Sequence, residues 1–414
     1  MLIYELYIDK FARNIKGLIT KLDYLRDLGM NAIWLLPHYP SPMVDDGYDV
    51  TDYKGIRGEL GTFEDFKKLT EISHEKGLKI IIDLPINHTS TEHKWFAEAR
   101  ASLDNPKRNY YLWSKSGADM LTAVNAFPNA KLTNWIYNPF TKDYYFATFY
   151  PLQPDLNWDN PQVIEEFFEI LDFWIDMGVD GFRLDAVTHI IKRKHSLSVA
   201  LPETHNIVNA IRKHLLSKQK DIMLIGEADL PTLHAADYFG SSRDGCTALI
   251  NFEDSLNMWL NFFEKDENLI KQQQNHTSYT ADKGDWIYFL GMHDAMPLYV
   301  MHADLQQRLK QKLDPENKFE SKHDKRIALR IAEILNGNQE QIINLYKQLM
   351  NQNGHKIIYY GDEIGMRNSK TDEFLIDNRH EIRNDFDWNE QKRQAEDPKS
   401  LLNGLKRLFV AQRV

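Results

Sequence analysis

The sequence has little cysteine, no long apolar run and no excess of positive charge. Its single cysteine, Cys246, excludes an internal disulfide. No apolar run approaches the roughly 20 residues that a membrane-spanning helix needs, and the amino terminus lacks the basic and apolar regions of a signal peptide. A formal net charge of −10 gives nucleic-acid binding no electrostatic support. We therefore expect a cytoplasmic protein that binds neither membranes nor nucleic acids.

Two well-known functional motifs are also missing, the glycine-rich phosphate loop and the HExxH zinc motif. Basic residues do cluster at Lys192, Arg193 and Lys194. A short run of this kind is usually a solvated face, and we interpret it so. Neither a nucleotide-phosphate site nor a zinc-protease site is therefore indicated.

What the sequence does contain is a repeated alternation of short β-rich runs and helical patterns. Hydrophobic residues make up 43% of the 414 residues, which is enough for one large core. Eight such alternations predict a parallel (β/α)8 barrel, the α/β fold called the TIM barrel. The eight predicted strands start at Leu2, Ala32, Lys79, Val179, Ile222, Cys246, Trp286 and Lys356.

Two intervals are too long to be simple barrel connections. The aromatic-rich segment 89–152 predicts a small inserted domain after the third strand, so that the barrel comprises 1–88 and 153–414. A charged segment, 302–325, follows the seventh strand. It is open to two interpretations, a solvated helical hairpin or a mobile lid over the functional site.

Acidic and other polar residues fall where the predicted strands end. In a TIM barrel these ends share one mouth, which carries the active site, and crowded charges are costly there unless the site uses them. Enzymes that hydrolyse glycosides place one carboxyl group on each side of the bond that breaks. The residues concerned are Asp45, Tyr48, Asp83, Asn87, His88, Arg183, Asp185, Glu227, His293 and Asp294.

Five short motifs carry a resemblance to a known family. They read DLPINH, QPDLN, GFRLDAVTH, GEADL and GMHD, in that order along the chain. The ordered set resembles the α-amylase family of retaining α-glycosidases and transglycosidases, over essentially the whole chain. Within that family the stretches LDYLRDLGMNAIWLLPHYPSP and DDGYDVTDY look most like the trehalose synthase branch.

The resemblance implies roles for individual residues of this sequence. Asp185 would be the catalytic nucleophile, Glu227 the general acid and base, and Asp294 the residue that stabilises the distorted sugar. The remaining positions would bind the sugar: Asp45, Tyr48, His88, Arg183, His293 and Arg383. Asp45 matches a position that holds the far end of a terminal glucose, which would favour a short pocket and disaccharides.

Arg183 and Asp185 lie two residues apart on one predicted strand, so their side chains share a face. An adjacent cation favours the ionised form of a carboxylate. We therefore expect Asp185 to be an anion, whereas Glu227, further from this cation, keeps its proton. A pair with opposed pKa values is what acid–base chemistry on a glycosidic bond requires.

The resemblance also implies a structural calcium site, although no cofactor is expected to be required. Its positions are matched by Asn87, Asp155 and the backbone carbonyl of His189. Oxygen ligands suit Ca²⁺, but a hydrogen-bond network could use the same three groups.

Three functions remain open from the sequence. We prefer a retaining enzyme that acts on maltose-like α-glucosides and interconverts maltose and trehalose. Plain hydrolysis of maltose, trehalose or maltodextrin by an α-glucosidase or α-amylase is the second hypothesis, and a catalytically silent barrel used as a binding module is the third. Relatives in the family continue into a β-sandwich after the eighth helix, and we expect that domain to be absent here, either because the natural protein is short or because the sequence is a fragment. We expect this to uncover apolar surface, which favours a homo-oligomer.

Overall fold

The eight predicted strands form a closed barrel of parallel strands in the computed structural model. The structure describes residues 1–218, 221–280, 282–321, 326–369 and 377–413. Around the barrel the strand order is β1, β11, β10, β9, β8, β7, β3 and β2, which confirms the predicted (β/α)8 fold. The eight strands are β1 (Leu2–Leu6), β2 (Ala32–Leu35), β3 (Lys79–Pro85), β7 (Gly181–Asp185), β8 (Met223–Gly226), β9 (Ala248–Ile250), β10 (Asp285–Tyr288) and β11 (His355–Tyr359).

Strand register determines which residues meet at the barrel mouth. Pairing of β3 with β7 sets Asp83 opposite Arg183 and Pro85 opposite Asp185. The next pair, β7 with β8, sets Arg183 opposite Ile225. Glu227 follows β8 directly and therefore reaches the same level of the barrel as Arg183 and Asp185.

Helices surround the barrel, and their ends carry the expected caps. Thr62 and Asp65 form a reciprocal capping box at the start of one helix. Gly29 ends another with a left-handed φ of 106°, the conformation that glycine adopts without steric cost. The α-helices are Ile8–Ala12, Ile15–Ile19, Leu22–Leu28, Phe63–Glu75, Lys94–Ala101, Pro161–Asp176, Glu203–Ser217, Thr232–Ala235, Phe252–Glu264, Glu267–Thr280, Ala303–Leu313, Ile331–Ile334, Gln339–Met350, Trp388–Ala395 and Leu401–Val410.

Short 3₁₀ turns complete the helical structure at Arg108–Tyr110, Val187–His189, Ala236–Phe239, Leu298–Val300, Asp362–Ile364, Asn378–Ile382 and Ala411–Arg413. None of the helices in the described residues is both long and apolar enough to cross a bilayer.

The long interval after β3 contains a separate small sheet. Its three antiparallel strands are β4 (Trp113–Ser114), β5 (Trp135–Asn138) and β6 (Asp143–Phe146), with β6 in the centre. An isolated bridge between His88 and Asp155 joins the two ends of the interval. The sheet therefore sits beside the barrel mouth, while the boundaries 89–152 remain a prediction.

The charged interval after β10 contains the helix Ala303–Leu313, which buries Leu309 and Leu313. Arg308 on this helix pairs with Glu264 and Asp266. Residues 322–325 of the predicted hairpin lie outside the described residues. The alternative of a lid over the site stays a prediction.

Candidate active site

Four of the five acids predicted at the rim line one cavity at the carboxyl ends of the barrel strands. The cavity contains about 600 Å³ of empty space, including its open mouth. All three predicted catalytic acids lie in its wall, together with three of the predicted sugar-binding residues. The lining comprises Asp45, Tyr48, His88, Phe127, Phe149, Asp185, Ala186, His189, Glu227, Asp229, Asp294, Ala295, Arg326 and Arg379.

Arg183 lies beneath the cavity, fully buried, and contacts three carboxylates. Its Nη1 donates to Asp83 at 2.8 Å and to Asp185 at 2.6 Å, and its Nη2 is 2.9 Å from Oε2 of Glu227. The same Glu227 oxygen accepts a hydrogen bond from the backbone amide of Ala186 at 2.8 Å. The prediction that Glu227 lies away from this cation is wrong, because β8 is the immediate neighbour of β7.

The pKa of Asp185 is also opposite to the prediction. Burial raises it well above the usual range of a carboxyl group, and the Arg183 guanidinium only partly offsets this rise. Burial likewise raises the pKa of Glu227, with Arg183 again acting in the other direction. One cation faces three carboxylates here, so the pair Asp185–Glu227 favours retention of a proton between them.

Asp294 has the reverse surroundings, with several cations around one carboxylate. It lies 3.0 Å from Nε2 of His293, 2.9 Å from Arg383 and 3.3 Å from Arg379. Burial alone would raise its pKa, but these cations outweigh burial and hold the pKa well below the usual range. Asp294 is therefore a permanent anion in the cavity wall.

His293 lies behind Asp294 and is completely buried. Its Nδ1 is hydrogen-bonded to Glu5, and its Nε2 lies 2.6 Å from the Tyr48 hydroxyl. Burial lowers the pKa of a histidine, yet the carboxylates of Asp294 and Glu5 outweigh this effect and raise the pKa of His293 to about 9. The Tyr48 hydroxyl also donates to Asp83 at 2.9 Å, which links this group to Arg183.

Asp45 lies in the cavity wall, where two side chains hold it. Arg379 donates to it at 2.6 Å and Gln153 at 2.8 Å. Arg379 was not predicted, since its segment matches the family only loosely and no periodicity marks it. Arg383, which was predicted to bind sugar, is not among the residues that line the cavity. It donates hydrogen bonds to Asp294 and to Asp46.

The cavity wall also carries residues that the sequence did not indicate. Asp229 lies there within hydrogen-bonding distance of Tyr299, and Arg326 donates to Tyr299 at 2.8 Å. From the inserted segment, Phe149 packs at 5.3 Å from His88, whose pKa burial lowers. Aromatic rings from an insertion and charged groups from distant loops converge here, which no local pattern could have shown.

The three predicted calcium ligands also meet at one point, but a protein cation is placed among them. The ammonium of Lys192 lies 2.9 Å from Oδ1 of Asn87 and 2.8 Å from Oδ2 of Asp155, and it donates to the carbonyl of His189. These residues do not fit a resident calcium ion, because the Lys192 ammonium occupies its position and is hydrogen-bonded to all three oxygen ligands. Interpretation of Lys192 as part of a solvated face is wrong, since it is buried.

Known proteins resemble this chain across the barrel and its rim. Residues 10–400 match the model of the alpha-amylase catalytic domain. A trehalose synthase from Thermus thermophilus is 34% identical over 398 residues, which cover 94% of this chain and 40% of the relative. A trehalose synthase/amylase from Mycolicibacterium smegmatis is 32% identical over 378 residues, which cover 91% of this chain and 63% of the relative. The chain therefore spans less than two thirds of the length of these relatives.

Among solved structures, a trehalulose synthase superposes with a TM-score of 0.76. It is 24% identical, and the match covers 99% of this chain and 83% of the other, a likeness that concerns the fold. The family model spans almost the whole chain and the sequence relatives agree with it. The chain belongs to the alpha-amylase family of enzymes.

Proposed function

We propose that this chain is a retaining α-glucosyl enzyme that interconverts maltose and trehalose by double displacement. The observation that carries the proposal is the pair Asp185–Glu227, held on one buried guanidinium in the wall of a single cavity. Retaining glycosidases use such a pair, one carboxylate as nucleophile and the other as acid and then base.

In the first step the Asp185 carboxylate attacks the anomeric carbon of the terminal glucose, and the glycosidic C–O bond breaks. Glu227 gives its proton to the departing oxygen, so that neutral glucose leaves and a β-glucosyl ester of Asp185 remains. In the second step Glu227 removes a proton from a hydroxyl of the acceptor. That oxygen attacks the same carbon, releases Asp185 and restores the α configuration.

The raised pKa values of Asp185 and Glu227 mean that the pair retains a proton. The proposed reaction requires this proton to be on Glu227, with Asp185 ionised. Asp294 supports it from the opposite direction, because a permanent anion stabilises positive charge that develops on the sugar ring. The acids thus provide a nucleophile, a proton donor and an electrostatic stabiliser without any further ionisable group.

We expect a disaccharide rather than a long glucan as the substrate. Asp45 lies in the cavity wall, held by Arg379 and Gln153, and the family resemblance gives this position to the far end of a terminal glucose, which would favour a short pocket. For isomerisation, the released glucose must turn and attack with its anomeric hydroxyl before water does. A short pocket would favour that return.

Hydrolysis of the same substrates is a second candidate function. A separate space of about 980 Å³, open to solvent and lined in part by Tyr299, shares Arg326 with the cavity wall. Water that enters there would compete with glucose for the glucosyl ester. The name of the relative from Mycolicibacterium smegmatis, which includes both activities, is consistent with this competition.

Product analysis distinguishes the two functions. We expect maltose to yield trehalose, and trehalose to yield maltose, with free glucose as the minor product. Asp185→Asn, which keeps the shape of the side chain, should be inactive with both sugars. Glucose as the sole product would mean that the function is hydrolysis and not isomerisation. If NMR spectra showed that the β-anomer of glucose forms first, double displacement would be refuted. Unchanged activity of Asp185→Asn would place the chemistry elsewhere.

A further inference from the structure

Lys192 has the contacts of a bound cation rather than those of a surface lysine. Only 2% of its side chain is exposed. An ammonium has three N–H donors, and three acceptors surround this one: Oδ1 of Asn87, Oδ2 of Asp155 and the carbonyl oxygen of His189. Its hydrogen-bonding capacity is therefore filled by these groups.

The three acceptors come from three separate parts of the chain. Asn87 follows β3, Asp155 follows the small inserted sheet, and His189 lies in the turn after β7. Asp155 is itself fixed by the backbone amide of Thr148 at 2.9 Å. One ammonium therefore ties the barrel to the inserted segment.

These contacts lead directly to the cavity. Asn87 precedes His88, which lines the cavity and forms the bridge to Asp155. His189 lines the cavity as well, while its carbonyl accepts from Lys192. Any displacement of the three oxygens would move both histidine rings.

We propose that the Lys192 ammonium does the work of a structural divalent cation, and that it positions His88 and His189 for the sugar. A calcium ion needs six to eight oxygen ligands at about 2.3–2.6 Å. It would have to displace the ammonium from all three of its oxygens and stand beside a second positive charge. The fold is consequently independent of calcium, with Lys192 as a positioning residue.

The proposal is tested first by thermal unfolding of the full wild-type chain in EDTA and in millimolar Ca²⁺. We expect the same Tm in both, and no stoichiometric calcium by elemental analysis. A Tm that falls in EDTA, or that rises with Ca²⁺, would overturn the proposal. This arm requires no substrate and therefore stands apart from the proposed function.

Two substitutions of Lys192 then separate charge from volume. Lys192→Ala leaves the Asp155 carboxylate unpaired, and loss of a partner from a buried ion pair should lower Tm by roughly 3–6 °C. It also opens space beside three oxygens, so Ca²⁺ with its water ligands should recover most of that loss. Lys192→Met removes the charge but fills the space, so it should lose stability without recovery. Lys194→Ala, at an exposed lysine two residues away, is the matched control.

The positioning role has its own readout, which rests on the proposed function. In Lys192→Ala we expect KM for maltose to rise about 10-fold, with kcat changed less, and Ca²⁺ to restore KM. A Lys192→Ala variant with wild-type Tm and KM would refute the proposal. So would equal recovery of Lys192→Met by Ca²⁺, because the ion would then act elsewhere. If Lys192→Ala does not fold even with Ca²⁺, calcium cannot replace the ammonium and that part of the proposal is wrong.

Discussion

His293 should make the stability of the barrel mouth depend on pH. Its ring is buried between Glu5 and Asp294, and these carboxylates raise its pKa to about 9. In the unfolded chain a histidine has a pKa of about 6.5. The folded protein therefore binds this proton more tightly than the unfolded chain does.

The sign and size of the effect follow from linkage between folding and proton binding. For a group with a raised pKa, the contribution to stability is complete below pH 6.5 or so, the unfolded value. It is lost progressively as the pH rises towards about 9. At about 1.4 kcal/mol per pH unit of difference, the loss amounts to about 3 kcal/mol.

The assay is urea-induced unfolding, followed by tryptophan fluorescence, between pH 6 and pH 10. The reference is the double variant Glu5→Gln with His293→Gln, in which neutral amides replace both members of the pair. Titrating groups that do not contact Glu5 or His293 are common to both proteins and cancel in the difference. We expect the advantage of the wild type over this reference to shrink by roughly 3 kcal/mol across the range.

Two results would refute this reasoning. One is a constant difference in unfolding free energy between the wild type and the double variant at every pH. The other is an NMR titration in which the His293 ring, identified by its absence from His293→Gln, loses its proton below pH 7. Either result would mean that burial, and not the two carboxylates, controls the histidine.

Three further predictions concern activity and packing. Glu227→Gln should lower kcat for maltose by roughly 10²–10⁴-fold. The same variant should still be glucosylated by an aryl α-glucoside at nearly the wild-type rate, because that leaving group needs no proton. Equal losses for the two substrates in pre-steady-state rates would contradict this prediction. Arg379→Met should reduce kcat/KM for maltose by roughly 10- to 100-fold by freeing Asp45, and unchanged kinetics would remove Arg379 from the site. Phe409→Ala, at a fully buried ring, should lower the free energy of unfolding in urea by about 3–5 kcal/mol. Val410→Ala, at a side chain 41% exposed, should lower it far less. Similar losses in the two variants would contradict the packing described for Phe409.

The barrel could be predicted because each strand carries its own signal. Runs such as KIIIDLPI are apolar on both faces, as strands of a covered parallel sheet must be, and β3 is correspondingly buried along almost its whole length. The order of strands in a barrel follows the chain. The polar residues after each run could therefore be assigned to one mouth without knowledge of any distance.

Lys192 shows what the sequence could not predict. It stands in the same basic run as Lys194, but Lys192 is buried whereas 66% of the Lys194 side chain is exposed. The difference lies in partners that are remote along the chain, Asn87 and Asp155. A local pattern contains no information about such partners, and a basic run interpreted alone predicts a solvated face.

Electrostatic balance in the cavity could not be predicted for the same reason. The sequence placed Arg183 next to Asp185 and suggested a simple pair, but the fold adds Asp83 and Glu227 to the same guanidinium. Asp294 gained cations instead, from Arg379 and Arg383 near the carboxyl terminus. Burial raises the pKa of each acid, and the number of cations that the fold brings to it determines how far this rise is offset.

The number of cations near each buried carboxyl group explains why the same chemical group retains a proton in one place and stays ionised in another. On one side of the cavity three carboxylates share Arg183, so full ionisation would leave an excess of negative charge, and the pair Asp185–Glu227 binds a proton instead. On the other side His293 and two arginines surround Asp294, so its carboxylate stays ionised. A neutral sugar that enters the cavity adds no charge, so it changes neither the number of cations near Asp185 and Glu227 nor the number near Asp294. In the proposed reaction, the pair Asp185–Glu227 would therefore hold the proton needed at the glycosidic oxygen before any bond breaks, and Asp294 would be the anion that stabilises the charged sugar.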